Sequence, residues 1–159
     1  MTSTFKVVTV WLLVGVAVFL GVQWSQHSAQ RSLMTVSGGS IDIRRGPDGH
    51  YHWAGRINGR AVDFLIDTGA TRSALSSSLA RELNLERLGD TQSNTANGVV
   101  RGQIVRGDLT LEGGVRVDRL TMTALPDLGG HPLLGMDVLG RLRWQQRDGV
   151  LRIELESTR

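Results

Sequence analysis

The chain has 159 residues, 40% hydrophobic and 21% charged, the size and composition of one globular domain. Its formal net charge of +3 comes from scattered arginines, so no basic stripe offers itself to nucleic acid. The absence of cysteine excludes disulfides, zinc–thiolate sites and thiol nucleophiles.

Val7 to Trp24 is uncharged and broken only by Thr9, Gln23 and two glycines. At about 1.5 Å per helical residue this is just long enough to span a hydrocarbon core of about 30 Å. Trp11 and Trp24 suit the two interfaces, and Lys6 beside the start favours an N-terminus inside the cytoplasm. A cleaved signal peptide is the competing reading, but no small-x-small site follows the apolar run. Residues 1–24 are therefore expected to be an anchor with a transmembrane helix at 7–24. The remainder is expected on the periplasmic side of the inner membrane.

Residues 25–49 are polar, with breakers at Gly38-Gly39-Ser40 and Gly46-Pro47-Asp48-Gly49, and read as a flexible tether with a short strand at Ile41–Ile43. A domain is expected over 50–159. Strand-like runs from Tyr51 to Ile57 and from Arg60 to Ile66 flank Asn58-Gly59, a strong hairpin signal because both turn positions favour positive φ. The second run delivers Asp67, followed by Thr68, Gly69, Ala70 and Thr71. A carboxylate at the end of a buried strand is costly unless hydrogen bonds relieve it. Gly69 can turn its N–H back to the carboxylate, and Thr68 and Thr71 offer hydroxyls. Asp67 is either a turn cap or a catalytic acid.

Ser76-Ser77-Ser78 ahead of Leu79, Leu83 and Leu85 predicts a capped helix of about two turns. Thr91 to Gly102 is small and polar around Asn97-Gly98, consistent with a surface hairpin. Period-two runs around Glu112-Gly113-Gly114 predict another hairpin. Leu133-Leu134-Gly135 reads as a short buried strand, Met136 to Leu139 as a helical turn, and Arg147-Asp148-Gly149 as the turn of a closing hairpin. Apart from the anchor, the pattern is all-β with one or two short helices, forming a small closed barrel. His50-Tyr51-His52 could put two imidazoles on one strand face, but the sequence shows no third ligand, so no metal is expected. No glycine-rich phosphate loop follows a strand, and no cofactor is expected.

Phe64-Leu65-Ile66-Asp67-Thr68-Gly69-Ala70-Thr71 and His131-Pro132-Leu133-Leu134-Gly135-Met136-Asp137-Val138-Leu139, in this order, resemble the retropepsin-like aspartic proteases, in particular a membrane-anchored bacterial branch. The likeness runs from about Tyr51 to Leu155. It implies a retropepsin-like closed barrel with Asp67 as catalytic acid and Thr68, Gly69 and Ala70 as the active-site loop. It also implies that the hairpin near Ala96, Asn97 and Gly98 is a flap over substrate.

The resemblance further implies a homodimer acting on polypeptide. Metal-free peptide hydrolysis uses two carboxyls about 3 Å apart that share a proton, and this chain has a single Asp-Thr-Gly. Asp137 comes two residues after Gly135 but lacks a following Thr-Gly, so it makes a poor second acid. A twofold axis would bring Asp67 of another copy, with Thr68 cross-bracing the two loops. The alternative is a silent member of the same fold, used as a peptide-binding or dimerisation module at the membrane surface.

Overall fold

A computed structural model describes residues 8, 11–12, 14–16, 18–19, 34–95, 98–126 and 128–155. Contacts divide the chain into two units, Met1–Leu33 and Met34–Arg159. In the first, the described residues are helical and exposed. The expected span at 7–24 lies largely outside the described residues, and among these no helix is long and apolar enough to cross a membrane.

The second unit begins with a hairpin, β1 (Met34–Ser37) and β2 (Ser40–Arg44). Over 34–44 this departs from the tether expected at 25–49, of which residues 25–33 lie outside the described ones. The reason is the alternation Ile41-Asp42-Ile43, which sends both isoleucines inward to full burial. The glycines taken as breakers are the hairpin turn, with Gly38 and Gly39 at φ +57° and +83°. At the far end of the chain, β10 (Arg143–Arg147) and β11 (Val150–Glu154) form the closing hairpin. β11 pairs with β2, giving an antiparallel sheet ordered β1-β2-β11-β10. Its inward residues Ile41, Ile43, Leu151 and Ile153 join the main core.

The second sheet carries β3 (His52–Ile57), β4 (Arg60–Ile66), β5 (Ala74–Ser76), β6 (Glu86–Thr95), β7 (Gly98–Leu111), β8 (Arg116–Leu125) and β9 (Leu133–Leu134). The order is β3-β4-β9-β5-β8-β7-β6, and a further β3–β7 pairing closes it into a barrel. Gly55 permits that closure, since a Cβ there would stand 2.8 Å from the Thr110 carbonyl oxygen. Asn58 and Gly59 both take positive φ, as the β3–β4 turn requires. Trp53, Phe64, Leu75, Leu109, Met122 and Leu134 fill the interior. The strands β6 and β7 form a long hairpin, and among the described residues β6 pairs only with β7.

Two short helices complete the unit, α1 (Ser77–Glu82) and α2 (Met136–Leu139). Ser76 caps α1, its side chain accepting from the Leu79 N–H at 3.1 Å. The serine run is thus a helix start. The all-β barrel with short helices agrees with the sequence pattern.

Candidate active site

Phe64 and Ile66 point into the barrel and fix the end of β4, so Asp67 emerges where the core stops. Its backbone N–H donates to the Leu134 carbonyl on β9 at 3.0 Å. Its Oδ1 accepts the Gly69 N–H at 2.9 Å, and its carbonyl accepts the Ala70 N–H at 3.3 Å. The loop therefore folds back on its own acid, as the glycine implied. A Cβ on Gly69 would lie 3.2 Å from Asp67 Oδ1, so the close contact favours a residue without one. Asp67 is half-buried, whereas Thr68, Gly69 and Thr71 are exposed.

A second layer holds this loop from below. Asp137, on α2, accepts the Ser73 N–H with both oxygens at 3.0 Å and the Ser73 hydroxyl with Oδ1 at 2.7 Å. Ser73 is fully buried. Its Oγ in turn accepts the Gly135 N–H at 3.0 Å, and Ala70 accepts from Met136 N–H at 2.8 Å. A carboxylate bonded three times to one buried serine is a clamp on the loop, not a second acid.

Gly135 explains why the apolar pair at Leu133-Leu134 is followed by glycine. A Cβ at Gly135 would meet Arg72 C at 2.7 Å, Ala70 O at 2.8 Å and Ser73 N at 2.8 Å. All three are backbone atoms of the active-site loop and its continuation. Only a bare backbone lets that segment pass so closely. Sequence reasoning found Gly135 but missed Ser73 and the role of Asp137. The contact spans 64 positions, and a serine six residues after Asp67 carries no signal of its own.

The expected flap is the β6–β7 hairpin, in which Thr95 pairs with Gly98. Ala96 and Asn97 lie outside the described residues. Gly98 is exposed at φ +106°, a conformation suited to glycine. A groove of about 790 Å³ lies between the hairpin's base and α1, lined by Arg81, Asp90, Gln92, Arg101, Gln103 and Pro126 among others. Asp67 does not line it.

The metal-like cluster around His52 is formed with Asp63 and His131 rather than with His50. His50 is exposed. His52 instead contacts two carboxylates, with Nδ1 2.9 Å from Asp63 Oδ2 and Nε2 2.8 Å from Asp48 Oδ2. Burial pulls the His52 pKa down, but the hydrogen bonds and attraction from Asp48 and Asp63 outweigh it and raise it overall. His131 packs edge-on against His52, their ring centres 5.0 Å apart.

Comparison with known proteins agrees with this geometry. Residues 53–141, more than half of the chain, match the family described as "gag-polyprotein putative aspartyl protease". The crystal structure of a retropepsin-like aspartic protease from Rickettsia conorii is 25% identical with a TM-score of 0.62, the match covering 77% of this chain and 95% of that one. EIAV protease complexed with the inhibitor HBY-793 shares the fold at 20% identity and a TM-score of 0.54, covering 62% of this chain and 93% of that one. No curated protein matches the chain. With its Asp-Thr-Gly loop, its barrel and the matched span together, the chain belongs to the family of retropepsin-like aspartic proteases.

Proposed function

We infer that the protein is an aspartic endopeptidase whose working unit is a homodimer, with Asp67 of each copy supplying half of the catalytic pair. One ionised carboxyl takes a proton from water, and its protonated twin gives a proton to the substrate's carbonyl oxygen. The two act as a unit because like charges so close cannot both ionise. The observation that carries this reading is the hydrogen-bonded Asp67 turn, seated on β9 and clamped by Asp137 and Ser73. It is a rigid platform with a single acid. The groove between the hairpin and α1 is not lined by Asp67, consistent with a cleft completed by a second copy. Exposed Thr68 and Gly69 are free of the core and suit a twofold contact.

The substrate is polypeptide, entering beneath the β6–β7 hairpin in extended form. The apolar, uncharged stretch Val7–Trp24 supports attachment to the inner membrane with the protease unit outside the cytoplasm. Confinement to that plane would raise the local concentration of copies and favour a weak dimer.

The test is cleavage of an unfolded protein by the portion from Ser32 onward, across about pH 3 to 7, with Asp67→Asn as control. Turnover lost in Asp67→Asn, with circular dichroism unchanged, supports the enzyme. Absence of cleavage at every pH and protein concentration, with peptide binding retained, would identify a silent binding module instead.

A further inference from the structure

The cluster of His52, Asp63 and His131 plays no part in the chemistry above. His52 begins β3 and Asp63 lies on β4; the register places Leu65 opposite His52 and Ala54 opposite Asp63, so the two side chains are diagonal neighbours on one face. His131 arrives from the loop before β9, next to Pro132, whose carbonyl accepts the Leu65 N–H at 2.9 Å. The ligand atoms of all three residues lie within 4.8 Å of one another. His131 Nδ1 is 3.4 Å from Asp63 Oδ2 and 3.3 Å from the Asp63 carbonyl oxygen.

The geometry points to a divalent transition-metal site, of the kind that takes Zn²⁺, built from His52 Nδ1, Asp63 Oδ2 and His131 Nδ1. Zinc bonds of about 2.0–2.2 Å in a tetrahedron place ligand atoms about 3.3 Å apart. The observed separations of 2.9 and 3.4 Å bracket that edge. Two imidazoles and one carboxylate form a donor set suited to zinc rather than to calcium or magnesium.

Asp48 strengthens the case. Its carboxylate accepts from His52 Nε2 at 2.8 Å and so fixes the ring with Nδ1 toward Asp63. Nδ1 then stands 2.9 Å from Asp63 Oδ2, a contact that either a proton on Nδ1 or a metal ion between the two atoms satisfies. A proton can serve that single pair. One metal ion serves it and His131 together.

The three ligands come from two strands and the loop leading into β9, the strand whose Leu134 carbonyl holds the Asp67 N–H. A bound ion therefore staples the framework under the active-site loop. The fourth position, beside half-exposed His131, is left for water.

The test uses the full-length chain in mild detergent, stripped with a chelator and titrated with Zn²⁺ against a chromophoric competitor. The expected result is one ion per chain, with affinity at least tenfold weaker in His131→Gln and in Asp63→Asn and unchanged in His50→Gln. Asp48→Asn should weaken it about tenfold or more through loss of ring orientation. In the wild-type protein the ring-nitrogen signals of His52 and His131 should shift on adding Zn²⁺ while those of His50 stay. The melting temperature should rise by about 5–10 °C at a hundredfold excess over Kd. No stoichiometric binding, or binding that His131→Gln leaves intact, would overturn the site.

Discussion

Removing the Asp137 carboxylate should loosen the loop that carries Asp67 without removing any reacting atom. In Asp137→Ala the Ser73 N–H and hydroxyl lose their acceptor. Ser73 is fully buried, so neither group is readily resolvated. Hydrogen bonds to a charged partner contribute about 1.5–3 kcal/mol each, and an unsatisfied buried donor costs about 1–3 kcal/mol. These overlap, and the hydroxyl can turn elsewhere, so a net loss of about 3 kcal/mol is expected. Asp137→Asn keeps an oxygen at the Oδ1 position, where both Ser73 contacts meet, and should cost only about 1 kcal/mol. Urea unfolding of the portion from Ser32 onward gives both values. The double mutant with Ser73→Ala should show a coupling of about 1–3 kcal/mol. Cleavage should persist in Asp137→Asn and fall in Asp137→Ala. A cost below about 0.5 kcal/mol for Asp137→Ala would refute the clamp. Complete inactivity of a folded Asp137→Asn would instead make Asp137 a reacting acid.

Two further perturbations probe the scaffold. Gly135→Ala places a methyl 2.7–2.8 Å from three backbone atoms of the segment Ala70 to Ser73; it should cost about 3 kcal/mol and cleavage with it, measured by the same unfolding and turnover assays. On the β2–β11 pairing, Arg152 grips Asp42 through Nε at 2.7 Å and Nη2 at 2.6 Å. That hydrogen bond, aided by the charges of Arg152 and Arg44, holds the Asp42 carboxyl below its usual 3.8. The pair's contribution is present above that value and fades as pH falls through the lowered one. Unfolding midpoints of wild type and Arg152→Gln should therefore converge on acidification from about pH 5 to about pH 2; a constant gap would contradict the assignment.

Much of the site could be read from short-range pattern. The apolar run into Asp67, the Asn58-Gly59 turn and the serine cap at Ser76 act over a few residues, and each appears where its local chemistry demands. What escaped notice depends on distant partners. Ile41 and Ile43 read as a fragment within a tether because β11, the strand that pairs with theirs, lies more than a hundred residues on. In the sequence Asp137 reads only as a poor second acid, because its partner Ser73 is met only once β9 and α2 dock against the loop. His52 was matched with its neighbour His50, whereas the fold supplies Asp63 across the hairpin and His131 from a loop. Gly135 is intermediate: the motif announces it, but only the Cβ distances say what passes beside it.

Asp67 is the only acid of its kind in the chain, so half-mutant pairs should be dead. Wild-type chains mixed and exchanged with a varying excess of Asp67→Asn, at constant total protein, put this to a direct measurement. Turnover should fall as the square of the wild-type fraction, since only pairs with two intact copies carry the shared proton. A linear fall would mean that one chain suffices, and the shared-acid account would be wrong.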